Sequence, residues 1–284
     1  DPSDHVNNDA DSMSSAELES AYQDMLDQVQ LTDQNLLEIY LNAAEQVGPD
    51  LLIAFNNRTL LLRAIIKYGA ALKYSKDMYN WIDEANPKRE YEVEISVDET
   101  DTPTSPLEHL FIGLNLKRLG IRIVSLAPRF VGDFEKGIDY IGDLVEFEKQ
   151  YAQHVAIAKY CGPYKLSIHS GSDKFSVYPI MGRLSGEFLH VKTAGTSYLE
   201  ALRVICRTDI PLFREIIGFA RHRFETDKKT YHVSAQLSMV PEKLAAAELE
   251  DVYLDQVPGR QILHVTFGST LKGGQDSRGV FFKE

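Results

Sequence analysis

Apolar residues recur every three to four positions from Ser15 to about Gly48: Leu18, Tyr22, Met25, Leu26 and Val29, then Leu36, Leu37, Tyr40, Leu41 and Ala44. That spacing puts them on one helical face, with Ser14 and Thr32 placed as caps. A longer helical stretch runs from Thr59 to about Ala85 and stops at Asn86-Pro87, because a residue before proline is pushed out of helical conformation. Residues 1–14 show neither period and read as a flexible acidic leader.

From residue 90 the pattern alternates. YEVEISVDE (91–99), IRIVSLAP (121–128), KLSIHSG (165–171), EFLHVKTAG (187–195), TYHVSAQL (230–237) and QILHVTFGS (261–269) read as strands, several nearly apolar throughout, as expected when both faces are buried. Helical patterns separate them at 106–120, 146–162, 196–207, 211–225 and near 241–257. Strands alternating with helices imply a parallel sheet covered by helices. No GxGxxG follows the first strand, which argues against a dinucleotide-binding fold. The expectation is a TIM-type (β/α) barrel forming a single domain over 15–284, with a helical part at 15–89 and catalytic strands and loops at 90–271. Six strands are legible where a closed barrel needs eight; the others are hidden in the N-terminal half or lie outside this sequence.

Composition narrows the partners. A net charge of −12 over 284 residues disfavours nucleic acid and anionic membrane, and no apolar run approaches the ~20 residues of a membrane span. The polar N-terminus is unlike a signal peptide, and it opens on Asp1 rather than Met, as in a processed chain or a fragment. Cys161 and Cys206 sit in no metal or redox spacing and suggest reduced core thiols in a cytoplasmic protein.

The stretch LSIHSGSDKFSVY (166–178) ends a buried strand on an imidazole and follows it with small polar residues, an acid and a base. Turn chemistry alone would account for Ser, Gly and Asp. However, His169, His190, His232 and His264 all fall late in the expected strands, and the C-terminal strand ends of a barrel meet at one mouth. Acids reach the same rim: Asp98-Glu99 after the first strand, Asp133 and Glu135 after the second. A solvated loop would also explain Asp98-Glu99. Histidines with a carboxylate suit one divalent cation such as Zn, Mn, Co or Ni.

The segments ISVDETDTPTSP (95–106), SLAPRFVGDFEKGIDYIGDL (125–144), GPYKLSIHSGSDKFSVYP (162–179), HVKTAGTSYLEALR (190–203), YHVSA (231–235) and RQILHVTFGSTL (260–271) resemble the tagaturonate epimerase family, also called tagaturonate/fructuronate epimerases. The resemblance implies a metal-dependent TIM-barrel enzyme interconverting D-tagaturonate and D-fructuronate in hexuronate catabolism. It further implies Asp98 as proton acceptor, Glu135 as proton donor, and Glu99, His169 and His190 as metal ligands. Arg129, Lys136, Lys165, Lys174 and Lys192 are candidates for the substrate carboxylate, and Ser170, Ser172, Asp173 and Thr193 for its hydroxyls. His232 and His264 are expected near the mouth in a supporting or substrate-binding role. Asp173 and Lys174 could equally pair with each other as scaffold. Family members are usually longer than this sequence. Another metal-dependent sugar isomerase or aldolase on the same barrel, or a non-catalytic sugar-acid binding protein, are the competing readings; the oligomeric state is not legible.

Overall fold

A computed structural model describes every residue except Val29, His232, Lys283 and Glu284, with Thr230 described by its backbone alone. The chain divides into two compact units: Asp1–Gly132, Gly142–Ile168 and Pro179–His190 form the first, and Asp133–Ile141, His169–Tyr178 and Val191–Glu284 the second.

In the first unit the leader is not loose. Two 3-10 turns, Ser3–His5 and Asn8–Asp11, lie along the helix that follows later, with Val6 and Ala10 buried. Arg63 donates to the carbonyls of Ala10 and Met13, and Lys67 Nζ stands 2.8 Å from Asp11. Two small apolar residues and two helix cations fix the segment, and neither leaves a periodic signal. Helix α1 (Ser15–Asp27) opens on a reciprocal capping box, Ser14 with Glu17. Helix α2 (Leu36–Tyr40) is short: Asn42 takes a left-handed φ of 67°, which an asparagine tolerates and a helix interior does not. The chain then forms an antiparallel hairpin, β1 (Ala44–Gly48) and β2 (Leu51–Ala54), where helix was expected up to Gly48. Helix α3 (Arg58–Ala85) follows, capped by Asn57.

The expected alternation then appears, with strands shorter than their patterns: β3 (Glu94–Val97), α4 (Pro106–Arg118), β4 (Ser125–Pro128), α5 (Leu144–Cys161), β5 (Lys165–Ile168), α6 (Tyr178–Ser185) and β6 (Leu189–Val191). Helix α6 had no legible period because Pro179 and Gly182 interrupt it. The four strands make one sheet in the order β3-β4-β5-β6, with β3, β4 and β5 parallel in register. The protein is thus mixed α/β around a parallel sheet. Among the described residues no helix is long and apolar enough to cross a membrane.

The second unit is helical. Helices α7 (Thr196–Thr208), α8 (Ile210–Asp227) and α9 (Val257–Val265) share a core that includes Leu199, Leu202, Phe213, Ile216, Phe224 and Leu263, and α10 (Phe267–Gly273) packs against α8 and α9. Two expected strands are corrected here. Residues 233–236 belong to no strand, and 261–269 lie in α9 and α10 and the turn between them. Gln261 through Val265 are all buried, and a segment covered on every side offers no polar face from which to tell a period of 2 from one of 3.6. Pro258 in the first turn favours the helix. Within the helix expected near 241–257 the chain makes a 3-10 turn at Ala246–Glu248 and a π turn at Asp251–Asp255.

Candidate active site

The sheet of the first unit has two different faces. Register sets Ile95, Leu126 and Leu166 side by side, all buried. The alternate positions carry Glu94, Ser125 and Lys165, then Ser96 with Ala127, so one face is apolar and the other polar. On the polar face Ser125 Oγ donates to Glu94, and Ser96 Oγ donates to Asp98, the residue after β3. His190 Nδ1 lies 2.9 Å from both Glu94 Oε2 and Ser167 Oγ. Glu94 is on β3 and His190 on β6, three strand spacings or about 14 Å apart in a flat sheet. Side chains standing upright on a flat sheet could not meet across that distance, so the sheet curls with its polar face inward.

A carboxylate only accepts, so the proton of the neutral His190 ring sits on Nδ1 and the lone pair on Nε2. Glu94 and Ser167 therefore orient His190, a role with no local signal in the sequence, since Glu94 lies 96 residues from His190. Asp98 is half-buried and tied to the polar face, whereas Glu99 is exposed. Arg129 follows β4: its guanidinium donates to the Thr100 carbonyl, and its backbone exchanges hydrogen bonds with Thr104, which orders the 100–104 loop. Lys165 opens β5, at the other end of that strand from His169, and is exposed.

In the second unit the GDFEKG stretch forms a loop closed at its base by paired backbone bonds between Asp133 and Ile141. Four successive carbonyls in it accept from side chains. Lys174 Nζ donates to Glu135 (2.8 Å) and Ile138, Gln261 Nε2 to Lys136 (3.3 Å), and Arg260 Nε to Gly137 (2.7 Å). The side chain of Glu135 is buried, and its Oε2 accepts from Ser234 N–H (2.9 Å), Ser234 Oγ (2.8 Å) and Gln261 Nε2 (2.7 Å). Lys136 Nζ lies 5.2 Å over the ring of Tyr231.

The loop after β5 is built on strained backbone: His169 is followed by Ser170 at φ 51°, and Asp173 has φ 64°. Ser172 Oγ bridges the carbonyl and N–H of Ala194. Asp173 pairs with Arg260 at 3.0 Å. Lys174 is fully buried, and burial pushes its ammonium down to about 8. It therefore keeps its proton at neutral pH and donates to three carbonyls, the third being that of Ser172 (3.1 Å). Asp173 and Lys174 are each held by other partners, and both carry scaffold duty. Lys192 and Thr193 are exposed. His264 lies on α9 instead of a strand end, under two glycines: a Cβ on Gly137 (φ 71°) would come within 2.7 Å of its Nδ1, and one on Gly195 (φ 82°) within 2.9 Å of its Cε1. Burial, with help from Lys136, Arg260 and Lys174, pushes its imidazole down to about 4. His232 lies outside the described residues.

A metal finds one prepared ligand. The carboxylate-held Nδ1 of His190 is the arrangement that orients a coordinating imidazole through Nε2. Among the described residues no three His, Cys, Asp or Glu are gathered tightly enough to hold an ion.

The family model for tagaturonate epimerase matches residues 1–284. The tagaturonate/fructuronate epimerase of Thermotoga maritima is 43% identical over 274 residues, covering 96% of this chain and 55% of the relative. A glycerol-complexed crystal structure of the fructuronate-tagaturonate epimerase of Cohnella laeviribosi superposes with a TM-score of 0.87 at 38% identity, covering 99% of this chain and 56% of the other. The native crystal structure of that protein gives 0.85 at 36% identity. The chain spans about half the length of these relatives.

Proposed function

The chain belongs to the tagaturonate epimerase family, and from that premise we propose that it acts in the interconversion of D-tagaturonate and D-fructuronate. One feature of the fold carries the reading: a curled parallel sheet with an apolar outer face bears acids, hydroxyls and an oriented imidazole on its inner face. Such a sheet suits a segment of a (β/α) barrel whose polar interior receives a sugar acid. Two buried, unpaired cysteines suit a reducing cytoplasm.

The two sugar acids differ at one hydroxyl-bearing carbon that adjoins neither the ketone nor the carboxylate. Its C–H bond is not acidified, so enolisation cannot invert it. The proposed route is retro-aldol. Asp98 takes the proton of that carbon's hydroxyl, the C–C bond toward the ketone breaks, and its electrons pass to an enediolate. The aldehyde turns, the bond reforms on its other face, and Glu135 supplies the proton to the new hydroxyl. Asp98 is suited to the base role because Ser96 holds it on the polar face, and Glu135 to its role because its loop is fixed by Lys174, Gln261 and Arg260. Arg129 and Lys136, which flank Glu135 in sequence, are proposed for the substrate carboxylate. A divalent cation would supply Lewis acidity toward the ketone and its neighbouring hydroxyl; His190 is the ligand the structure orients for it, and Glu99 and His169, which the structure does not gather with it, are the other proposed ligands.

Turnover in heavy water tests the route. Product forms without deuterium on the inverted carbon and with a carbon isotope effect at the broken bond. Stoichiometric deuterium on that carbon would rule out cleavage.

A further inference from the structure

We propose that Asp11 and Lys67 are positioning residues that act through Thr102 to fix the turn following Asp98 and Glu99. That role rests on Asp98 as the base and Glu99 as a metal ligand, and adds what holds both acids in place. On one side of the pair, Val97 is buried and paired with Pro128 at the end of β3. On the other side Thr100 is buried, its carbonyl accepts from the Arg129 guanidinium, and its Oγ1 donates to the Thr102 carbonyl at 3.0 Å. Residues 100–102 are therefore one closed turn, and whatever anchors Thr102 also anchors Thr100. A two-residue span between the strand end and this turn has little slack, so a shift of the turn moves the acids with it.

The anchor is built on a buried cation. Lys67, on α3, is fully buried, and an ammonium so placed needs an acceptor for each of its three protons. Its Nζ lies 2.7 Å from Thr102 Oγ1, 2.8 Å from Asp11 Oδ2 and 3.3 Å from Glu108 Oε1. Thr102 Oγ1 accepts from Lys67 and donates its own proton to the same oxygen of Asp11. Ammonium, carboxylate and hydroxyl thus close a triangle that leaves the hydroxyl one orientation. Two more leader residues add to it. Asn8 Oδ1 accepts from Asp101 N–H at 3.1 Å, and Asn7 N–H donates to the Lys67 carbonyl at 2.9 Å. The leader is fastened to both α3 and the turn, which makes it part of the support for the two acids.

Amide hydrogen exchange across residues 99–102, with kcat and KM for D-tagaturonate, tests the role in full-length protein and in Thr102→Val, Thr102→Ser and Asp11→Ala. Valine has the shape of threonine and no hydroxyl, so Thr102→Val opens the triangle. The expected result is faster exchange at 99–102 with exchange in α5 unchanged, and a kcat loss of roughly ten- to a hundredfold with KM little changed. A displaced base slows the chemical step more than it weakens substrate binding. Thr102→Ser keeps the hydroxyl and restores both readouts. Asp11→Ala, at a half-buried position, gives the same pair of changes and carries the test if Thr102→Val does not fold. Native kcat in the folded variants, or a kcat loss without faster exchange at 99–102, overturns the proposal. Asp98→Asn separates the two claims: full activity in that variant removes Asp98 from the chemistry, while exchange at 99–102 still decides whether Asp11 and Lys67 hold the turn.

Discussion

Lowering the pH from 7 to 5 should destabilise the first unit through two histidines that no catalytic role requires. His109 on α4 and His154 on α5 are buried, their Nδ1 atoms 2.8 Å apart, and His109 Nε2 is 2.8 Å from Tyr164 Oη. The ring of Phe130 stands perpendicular to His154 at 5.4 Å, and His154 Nε2 has no polar partner. Burial pushes His154 from the ordinary 6.5 down to about 4. His109 is pushed well down too, by burial and then by His154. As the pH falls, the unfolded chain takes up these protons first, so the stability they contribute is complete above about 6.5 and is lost as the pH drops toward 4. For His154 alone the loss reaches about 2 kcal/mol by pH 5 and roughly 3 kcal/mol in full. A second proton on the pair would set N–H against N–H. The assay is the urea midpoint by circular dichroism at half-unit steps from pH 7.5 to 5, above the range where ordinary carboxylates titrate. His154→Asn keeps a polar atom near the Nδ1 position and cannot titrate; it lowers stability at pH 7.5 and flattens the slope below 6.5. A wild-type midpoint that stays level to pH 5, or an Asn variant with the same slope, would refute the reasoning.

Two further outcomes follow from the site. Gly137→Ala strains a φ of 71° and drives a methyl against His264, so it should cost about 2–4 kcal/mol in chemical denaturation; a loss below 1 kcal/mol would mean that the loop yields easily. Metal analysis of purified protein should find one divalent cation in wild type and in His264→Ala, and little in His169→Ala or His190→Ala; equal stoichiometry in all four would exclude these ligands.

The βαβ order from residue 91 to 191 was legible, α6 excepted, because the strands keep apolar runs and α4 and α5 a 3.6-residue period. Apart from α1 and its Ser14 cap, the first 54 residues and the last 55 were not. Asn42 ends a helix whose apolar period continues past it, and the leader is held by Arg63 and Lys67 across separations of 50 to 56 residues. Residues 261–265 are buried on all sides, so their β-branched content pointed to a strand while packing made a helix. In the site, Asp98 and Glu135 stood out as acids after strands. Glu94, Ser234 and Gln261 did not, because a residue that orients another is visible only once the fold brings it within hydrogen-bonding reach.

The most direct test of the proposed function is NMR of D-tagaturonate incubated with metal-loaded, full-length protein. The account predicts accumulation of D-fructuronate to an equilibrium reached from either sugar acid, with Asp98→Asn slowing it by roughly 10²–10⁴ while the metal stays bound. Unchanged D-tagaturonate, or smaller sugar fragments accumulating in place of D-fructuronate, would contradict it.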